Sequence, residues 1–216
     1  MTSLPSLADP ERQLALTYAP RRARAGLHAL WAVDEQFGRV LASTREAGIG
    51  AMRLAWWREA LTTLDTSEPP AQPLLQALAR QVLPLGIAGA DLAAMEDGWY
   101  ALLEADPPGE AEIVRHAVER GGRLFALSAR VLGRPELTVD EVGRRWACAD
   151  LVRRLSDAGA KATARRMAGV SDKRRLPHQL RPLSALSIVA EEDLVGRGRG
   201  SPRQVLRLAW HGLTGL

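Results

Sequence analysis

Apolar residues recur along this chain at intervals of three and four, the spacing that lines up one face of an α-helix. The stretch from residue 50 to residue 64 is typical, with Leu54, Trp57, Leu61 and Leu64 on one stripe. Runs of β-branched residues bounded by turn residues, which would indicate strands, are nearly absent from the sequence. The pattern therefore predicts an all-α protein.

Start and stop signals divide the chain into predicted helices. Asp9 followed by Pro10 marks the start of the first helix, and Pro20 marks its end. No internal repeat or low-complexity tract divides the chain, so we expect a single domain over residues 1–216. The predicted helices cover residues 9–19, 23–43, 50–66, 73–83, 90–105, 110–132 and 138–168, with two shorter ones within 178–190 and 202–213.

Asp34 is an acid in the middle of an apolar helical stripe. It follows Leu30 and precedes Phe37 at helical spacing, so its carboxylate is expected to point into the core. Burying an ionised carboxylate is costly, and such a group usually has a charged partner, a metal ion or a shifted pKa. We favour an arginine from elsewhere in the fold, such as Arg58 or Arg24, over a retained ligand-binding role.

The charge balance does not favour a nucleic-acid partner. The formal net charge is +4, but it arises from 29 basic and 25 acidic residues spread along the chain. Two short basic stretches, residues 21–24 and 196–200, would suit an anionic surface. A solvated role is favoured for both because few aromatic residues lie among them. We predict no nucleic-acid partner and leave peripheral membrane contact open.

Cysteine usage and hydropathy indicate where the protein works. The single cysteine, Cys148, has no partner for an internal disulfide, which favours a reducing compartment, and its apolar context WACADLV predicts an inert core thiol. The N-terminal residues show no signal-peptide pattern, and no apolar run approaches the length of a membrane span. We expect a cytoplasmic protein, with attachment to the periphery of the inner membrane as an alternative.

Carboxylates on helices are the groups best suited to carry chemistry. The sequence has no glycine-rich phosphate loop, no cysteine or histidine spacing for a metal and no nucleophile elbow, and its four histidines are predicted to have surface or core roles. In an all-α protein, two facing acidic helices can hold magnesium ions that in turn bind a diphosphate. Such acids are Asp34 and Glu35 in one predicted helix and Asp150 and Asp157 in another.

Basic neighbours weaken the case for magnesium on the second acidic helix. Asp150 lies four residues before Arg154, and Asp157 has Arg153 four residues before it and Lys161 four residues after it. Oppositely charged residues at this spacing pair on a helix surface. We therefore favour a salt-bridged, solvated face over metal binding there.

Five blocks occur in order from about residue 12 to about residue 213, namely YAPRRARAGLHALWAVDEQFGRVLAST, RLAWWREAL, RGGRLFALSARVLG, ADLVRRLSDAGAKA and KRRLP. The most specific has paired tryptophans followed by arginine. Together these blocks resemble the squalene and phytoene synthase family. The resemblance implies an all-α, isoprenoid (terpenoid) synthase-like helical bundle around a central cavity. Active members join two prenyl diphosphates head to head, using two aspartate-rich motifs that bind magnesium and diphosphate.

The two acidic motifs depart from those of active family members. The first aligns on Asp34, Glu35 and Gly38, and the glycine stands where the family has a further acid. The second aligns on Asp157 and Lys161, and the lysine replaces the family's second acid. Both changes remove negative charge that a magnesium ion would need.

These departures resemble a divergent branch of the family. That branch includes proteobacterial homologues and a mitochondrial assembly factor for respiratory complex I, and its members look like proteins that kept the fold and lost the catalysis. The loop KRRLP departs in the same direction, with Arg175 where a tyrosine is usual. We therefore predict a noncatalytic protein with a binding or assembly role, partnered by a protein or a prenyl lipid, and we expect no cofactor.

Two alternatives stay open. One is an active, magnesium-dependent prenyltransferase that condenses two prenyl diphosphates head to head. The other is a carrier that holds a polyprenyl chain in a hydrophobic cavity without converting it. In the active alternative the magnesium ligands are Asp34, Glu35, Asp150 and Asp157, and the diphosphate is held by Arg58, Arg174 and Arg175.

Overall fold

The computed structural model describes residues 4–169 and 176–196, and within these ranges the chain is helical and contains no β-strand. The all-α prediction is therefore confirmed. The helices are α1 (Pro10–Thr17), α2 (Arg21–Ala42), α3 (Ala47–Thr63), α4 (Pro73–Gln81), α5 (Gly89–Ala93), α6 (Glu96–Glu104), α7 (Glu110–Arg115), α8 (Arg123–Val131), α9 (Asp140–Arg154), α10 (Ala158–Ala168) and α11 (Arg181–Leu194). Short 3₁₀ turns occupy Leu83–Leu85 and His178–Leu180, and a π-helical segment, His116–Gly122, joins α7 to α8.

Local signals explain where α1 and α4 begin. The Asp9 side chain accepts hydrogen bonds from the backbone N–H groups of Glu11 and Arg12, and a proline follows at the first helical position, as predicted. The Gln72 side chain accepts a hydrogen bond from the N–H of Leu75 at the start of α4. These caps satisfy N–H groups that the first turn of a helix leaves without partners.

One predicted helix is two helices in the structure. The sequence predicts a continuous helix over residues 138–168, but the backbone is extended at Leu155, between α9 and α10. The Asp157 carboxylate accepts a hydrogen bond of 2.7 Å from the N–H of Ala160 and caps the start of α10. Asp150 therefore lies on α9 and Asp157 at the start of α10, and the prediction that both lie on one helix is wrong.

The other helix predictions agree with the structure to within a few residues, apart from two details. The helix predicted over 90–105 is divided into α5 and α6. The helix predicted over 110–132 passes through the π-helical segment, in which hydrogen bonds span five residues instead of four. The helix predicted within 202–213 lies outside the described residues.

Two groups of buried apolar side chains fill the interior. The larger group draws on most of the helices and includes Trp31 and Phe125, both fully buried. The smaller group lies among α7, α9 and α10 and includes Ile113 and Cys148. Cys148 is thus the core thiol that the sequence predicts. Along the chain, the π-helical segment lies between Ile113 of the smaller group and Phe125 of the larger group.

Candidate functional site

Asp34 lies in the middle of α2 and is fully buried, as its position on the apolar stripe predicts. Its Oδ1 accepts hydrogen bonds from the indole N–H of Trp99 at 2.8 Å and from Nε of Arg120 at 2.9 Å. Its Oδ2 accepts from Arg12 at 2.5 Å and from a second nitrogen of Arg120 at 3.1 Å. A carboxylate offers about four lone-pair positions. The described residues therefore fill the acceptor capacity of Asp34.

Arg120 joins Asp34 to a second buried acid, Asp150 of α9. Its Nη1 donates to Oδ2 of Asp150 at 2.7 Å, while its other two nitrogens bind Asp34. Two further arginines of α9 hold Asp150 from the rim, Arg154 at 2.8 Å and Arg153 at 2.6 Å. The predicted pairing of Asp150 with Arg154 is confirmed. The prediction of a solvated face is wrong, because Asp150 is buried and Arg153 binds Asp150 instead of Asp157. Asp34 and Asp150 face each other across one guanidinium group.

The charges in this cluster balance each other. Burial by itself raises the pKa of a carboxyl group, but the nearby guanidinium groups of Arg120 and Arg12 outweigh it and lower the pKa of Asp34. The pKa of Asp150 is also lowered: burial raises it, and the positive charges around it, Arg120 foremost, outweigh that effect. Both acids are therefore ionised at neutral pH and matched by the buried cations Arg12 and Arg120.

Tryptophan rings enclose the cluster. The guanidinium of Arg120 lies 4.2 Å from the centre of the Trp99 ring and 4.6 Å from that of Trp146, and the guanidinium of Arg12 lies 4.9 Å from the Trp146 ring. Cations packed on aromatic faces gain electrostatic attraction, and the gain is larger where water is excluded. The level of the bundle between Asp34 and Asp150 is thus filled by guanidinium and indole groups.

His116 completes the cluster as a neutral group. Its Nδ1 lies 2.6 Å from the carbonyl oxygen of Gly98, and its Nε2 lies 3.0 Å from Nη1 of Arg120. Burial, together with the charge of Arg120, lowers the pKa of His116 to about 3. In the neutral ring Nδ1–H donates to Gly98, and Nε2 accepts from Arg120. His116 therefore shares Nη1 of Arg120 with Asp150 and helps to orient Arg120, in a core role.

Glycines allow Arg120 to reach both acids. A Cβ on Gly98 of α6 would lie 2.6 Å from the backbone nitrogen of Arg120. Gly121 and Gly143 face each other between the π-helical segment and α9, and a Cβ on either would come within 2.3 Å of the carbonyl oxygen of the other. These distances are far shorter than real contacts. Only glycine permits the close approach that places Arg120 between α2 and α9.

The position of the missing acid in the first motif is occupied by an aromatic ring. Gly38 stands where the resemblance implies a further carboxylate, and a Cβ there would lie 2.9 Å from the Trp99 ring. The same ring donates its N–H to Asp34. An acid at position 38 would therefore collide with the indole that supports Asp34.

Glu35 and Asp157, the other two predicted magnesium ligands, bind backbone N–H groups. Glu35 accepts hydrogen bonds from the N–H groups of Ala8 at 2.8 Å and Asp9 at 3.2 Å, which holds the segment before α1 against α2. Asp157 caps α10. The structure brings Asp34 and Asp150 together around Arg120, whereas Glu35 and Asp157 serve other parts of the fold.

Arg58 binds a different buried acid, Glu96 of α6. Its Nε donates to Oε2 of Glu96 at 2.7 Å, and the Arg58 side chain remains 54% exposed, while that of Glu96 is 1% exposed. Oε1 of Glu96 has no hydrogen-bond partner among the described residues. Burial raises the pKa of Glu96, and the hydrogen bond from Arg58 only partly offsets it. The predicted Arg174 and Arg175 lie outside the described residues.

The predicted partners of Asp34 are wrong. One of the actual partners, Arg120, could have been found from its position in the sequence. Arg24 donates to the carbonyl oxygens at the end of α1, and Arg58 binds Glu96. Arg120 lies on the apolar stripe of its own helix in the same way as Asp34 lies on that of α2. An arginine and an acid that each lie on the buried, apolar face of a helix indicate that the two side chains pair in the core. The stripe of Arg120 comprises Ile113, Ala117, Leu124 and Leu127.

Comparison with known proteins decides the family. A sequence model described as squalene/phytoene synthase matches residues 7–168, more than half of the chain. The chain belongs to the squalene/phytoene synthase family. The resemblance seen in the sequence is thus confirmed, together with the all-α, isoprenoid synthase-like fold. Comparisons with curated proteins and with solved structures found no match. The match spans Arg12, Asp34, Arg120 and Asp150, so the buried cluster lies within the family domain.

Magnesium, which the squalene/phytoene synthase family implies, does not suit the donors in this member. A magnesium ion takes oxygen ligands in near-octahedral geometry, and its carboxylate ligands must have free lone pairs. Here Asp34 and Asp150 accept from guanidinium groups, while Glu35 and Asp157 accept from backbone N–H groups. Within residues 4–169 and 176–196, no three acidic, histidine or cysteine side chains are grouped to hold a metal ion.

Proposed function

We propose that this member of the squalene/phytoene synthase family does not condense prenyl diphosphates and acts as a binding or assembly protein. One observation carries the proposal: the guanidinium of Arg120 lies between Asp34 and Asp150, bound to both. It neutralises the two acids that are best placed to act together. The guanidinium cation of Arg120 thus lies between the two acids, where a catalytic member would need a magnesium ion.

The energetics of the cluster support this proposal. To release Asp34 and Asp150 for a metal ion, Arg120 and Arg12 would have to remain buried without their partners. Removing one partner of a buried ion pair costs about 3–5 kcal/mol, because the remaining charge is left uncompensated. A single magnesium–carboxylate contact would have to overcome that cost inside a centre walled by tryptophan rings. The pairs with arginine are therefore the stable arrangement.

The arrangement around the cluster supports the same proposal. The ring of Trp99 occupies the space next to Gly38 that a third carboxylate would need. Asp157 of the second motif caps α10 and does not lie on α9, which ends at Arg154. A role that depends on the surface of the fold needs none of these acids.

Calorimetry with magnesium and a nonhydrolysable farnesyl diphosphate analogue tests the proposal. We expect no magnesium-dependent heat up to about 1 mM ligand, a range that covers the usual saturation of enzymes. A parallel incubation of the wild-type protein with farnesyl diphosphate and magnesium should release no diphosphate. That assay needs no variant and so does not depend on whether a variant folds.

Two outcomes would overturn the proposal. Release of diphosphate, or magnesium-dependent binding that is lost in Asp34→Asn and kept in the exposed control Glu141→Gln, would establish the active prenyltransferase. Tight binding of the analogue without magnesium would favour the polyprenyl carrier instead.

A further inference from the structure

Helix α3 is apolar on two sides. Its inner side packs into the core through buried residues such as Leu54 and Leu61. Its outer side carries three large apolar side chains at intervals of three and four residues, so they share one face. A surface helix ordinarily has a polar outer face. The exposed side chains are Ile49 at 42%, Met52 at 69% and Trp56 at 50% exposure.

Arginines flank this face. Arg45 precedes α3, Arg53 lies on it, and Arg39 lies on the neighbouring part of α2. In the part of the chain that the structure describes, none of the three is in an ion pair, and Arg53 donates instead to the hydroxyls of Ser43 and Thr44 at 3.3 Å. Their charges are therefore available to an anionic partner.

The acids of the same region do not cancel these arginines. Glu46 stands at the cap of α3, and Glu59 lies one turn beyond Trp56 on the edge of the outer face. Three arginines against two acids leave the face with a positive charge. The partner that complements it is both apolar and negatively charged.

A groove beside the face combines both chemistries. It lies between α2 and α3, has a volume of about 320 Å³, and is lined by three apolar residues and four polar ones, two of which are arginines. Guanidinium groups bind phosphate through paired hydrogen bonds. The apolar lining suits the first carbons of an acyl chain. The lining residues are Gln36, Arg39, Val40, Ser43, Arg53, Trp56 and Trp57.

We infer that the outer face of α3 docks on the surface of an anionic lipid bilayer. Ile49, Met52 and Trp56 enter the boundary between headgroups and acyl chains, and Arg39 and Arg53 bind lipid phosphates. Helices that lie in this boundary combine basic residues with tryptophan and aliphatic side chains. The contact is peripheral, since none of the helices in the described ranges is long and apolar enough to cross a bilayer. The inference is independent of whether the buried cluster is catalytic.

Flotation of the full chain with vesicles tests this surface. We expect binding to phosphatidylcholine vesicles that contain roughly a third phosphatidylglycerol, and much weaker binding to pure phosphatidylcholine. Trp56→Ser and Met52→Ser should each lower the partition into anionic vesicles about tenfold, because each removes apolar area that the lipid buries. Arg53→Gln should lower it about threefold. Val114→Ser removes a side chain of similar exposure, 41%, on α7 and should leave the partition unchanged.

Four results would overturn the inference. Equal binding to neutral and anionic vesicles would remove the role of the arginines. An equal loss in Trp56→Ser and Val114→Ser would remove the role of α3. A dimer in gel filtration that becomes a monomer in Trp56→Ser would make the face a contact between two copies of the chain. Displacement from vesicles by millimolar glycerol phosphate would make the groove a site for a soluble phosphate instead of a bilayer.

Discussion

Two of the buried acids in this bundle, Asp34 and Glu96, have pKa values that are shifted in opposite directions. Asp34 accepts hydrogen bonds from two fully or nearly fully buried arginines, Arg12 and Arg120. Glu96 is held by one arginine, Arg58, whose side chain is half exposed. Burial raises the pKa of both carboxyl groups, but the pKa of Asp34 ends below its usual value and that of Glu96 ends above it. The number and burial of the arginine donors thus decide the direction in which the pKa of a buried carboxyl group shifts.

The largest effect is expected where the cluster loses an acid. Asp34→Asn leaves Arg12 and Arg120 buried with too little negative charge, so the free energy of unfolding should fall by about 3–5 kcal/mol. Urea unfolding followed by circular dichroism measures this. In Asp157→Asn the new side chain still caps α10, so that control should lose less than about 1 kcal/mol. Equal losses in the two variants would mean that the buried pairs contribute no more than a helix cap.

His116 adds a pH dependence to the same cluster. Its pKa is about 3 in the folded protein and near 6.5 in the unfolded chain, so the unfolded state binds the proton first as the pH falls. Stability should therefore decrease from pH 6.5 towards pH 3, by up to about 1.4 kcal/mol per pH unit from this group. His116→Gln should flatten that part of the profile, measured by urea unfolding at a series of pH values. An unchanged slope would contradict the neutral state of His116.

Glu96 should respond differently from Asp34. Its raised pKa means that ionisation weakens its contribution, so Glu96→Gln should change the free energy of unfolding by no more than about 1 kcal/mol at pH 7. A group whose pKa is raised by folding stabilises the folded state at pH values below its pKa in the unfolded chain. This stabilisation is lost as the pH rises through its pKa in the folded protein. As the pH is lowered from 7 towards 4.5, the free energy of unfolding of the wild type should therefore rise relative to that of Glu96→Gln. A loss in Glu96→Gln as large as that in Asp34→Asn would erase the distinction between the two acids.

The smallest expected effect concerns the reactivity of the Cys148 thiol and not the stability of the protein. Burial raises the pKa of its thiol to about 11, and the charge of Arg145 offsets this only in part. The thiolate is the reactive form. Alkylation by iodoacetamide at pH 8 should be at least about a hundredfold slower in the native protein than in urea, because it requires local opening. Similar rates in both conditions would show that the smaller apolar group opens readily.

The burial of Asp34 was predictable from the sequence, but its partners were not. Burial follows from spacing along one helix, which the chain itself displays. Pairing depends on which distant segments meet: Arg12 is 22 residues away and Arg120 is 86 residues away. The sequence suggested Arg24 and Arg58 because they are near in the chain or belong to a specific block. In the structure Arg24 binds carbonyl oxygens at the end of α1, and Arg58 binds Glu96.

The break between α9 and α10 could have been predicted from the sequence. Ser156 and Asp157 before a run of small residues form a helix-start signal, and the structure uses Asp157 as the cap. The strong apolar periodicity before and after this signal favoured a continuous helix instead. The close contact of Gly121 with Gly143 could not have been predicted, since glycine inside a helix only indicates a close approach without naming the neighbour.

The π-helical segment His116–Gly122 connects the two apolar groups of the bundle along the chain. Each residue of a helix turns the chain by about 100°, so the wider turn rotates the residues after it relative to those before it. One continuous rod can therefore direct Ile113 to one apolar group and Phe125 to the other. Arg120 lies at that join and binds α2 on one side and α9 on the other. Unfolding either apolar group alone would leave buried charges without their partners. The backbone amides of both groups should therefore exchange their hydrogens with the same free energy of opening.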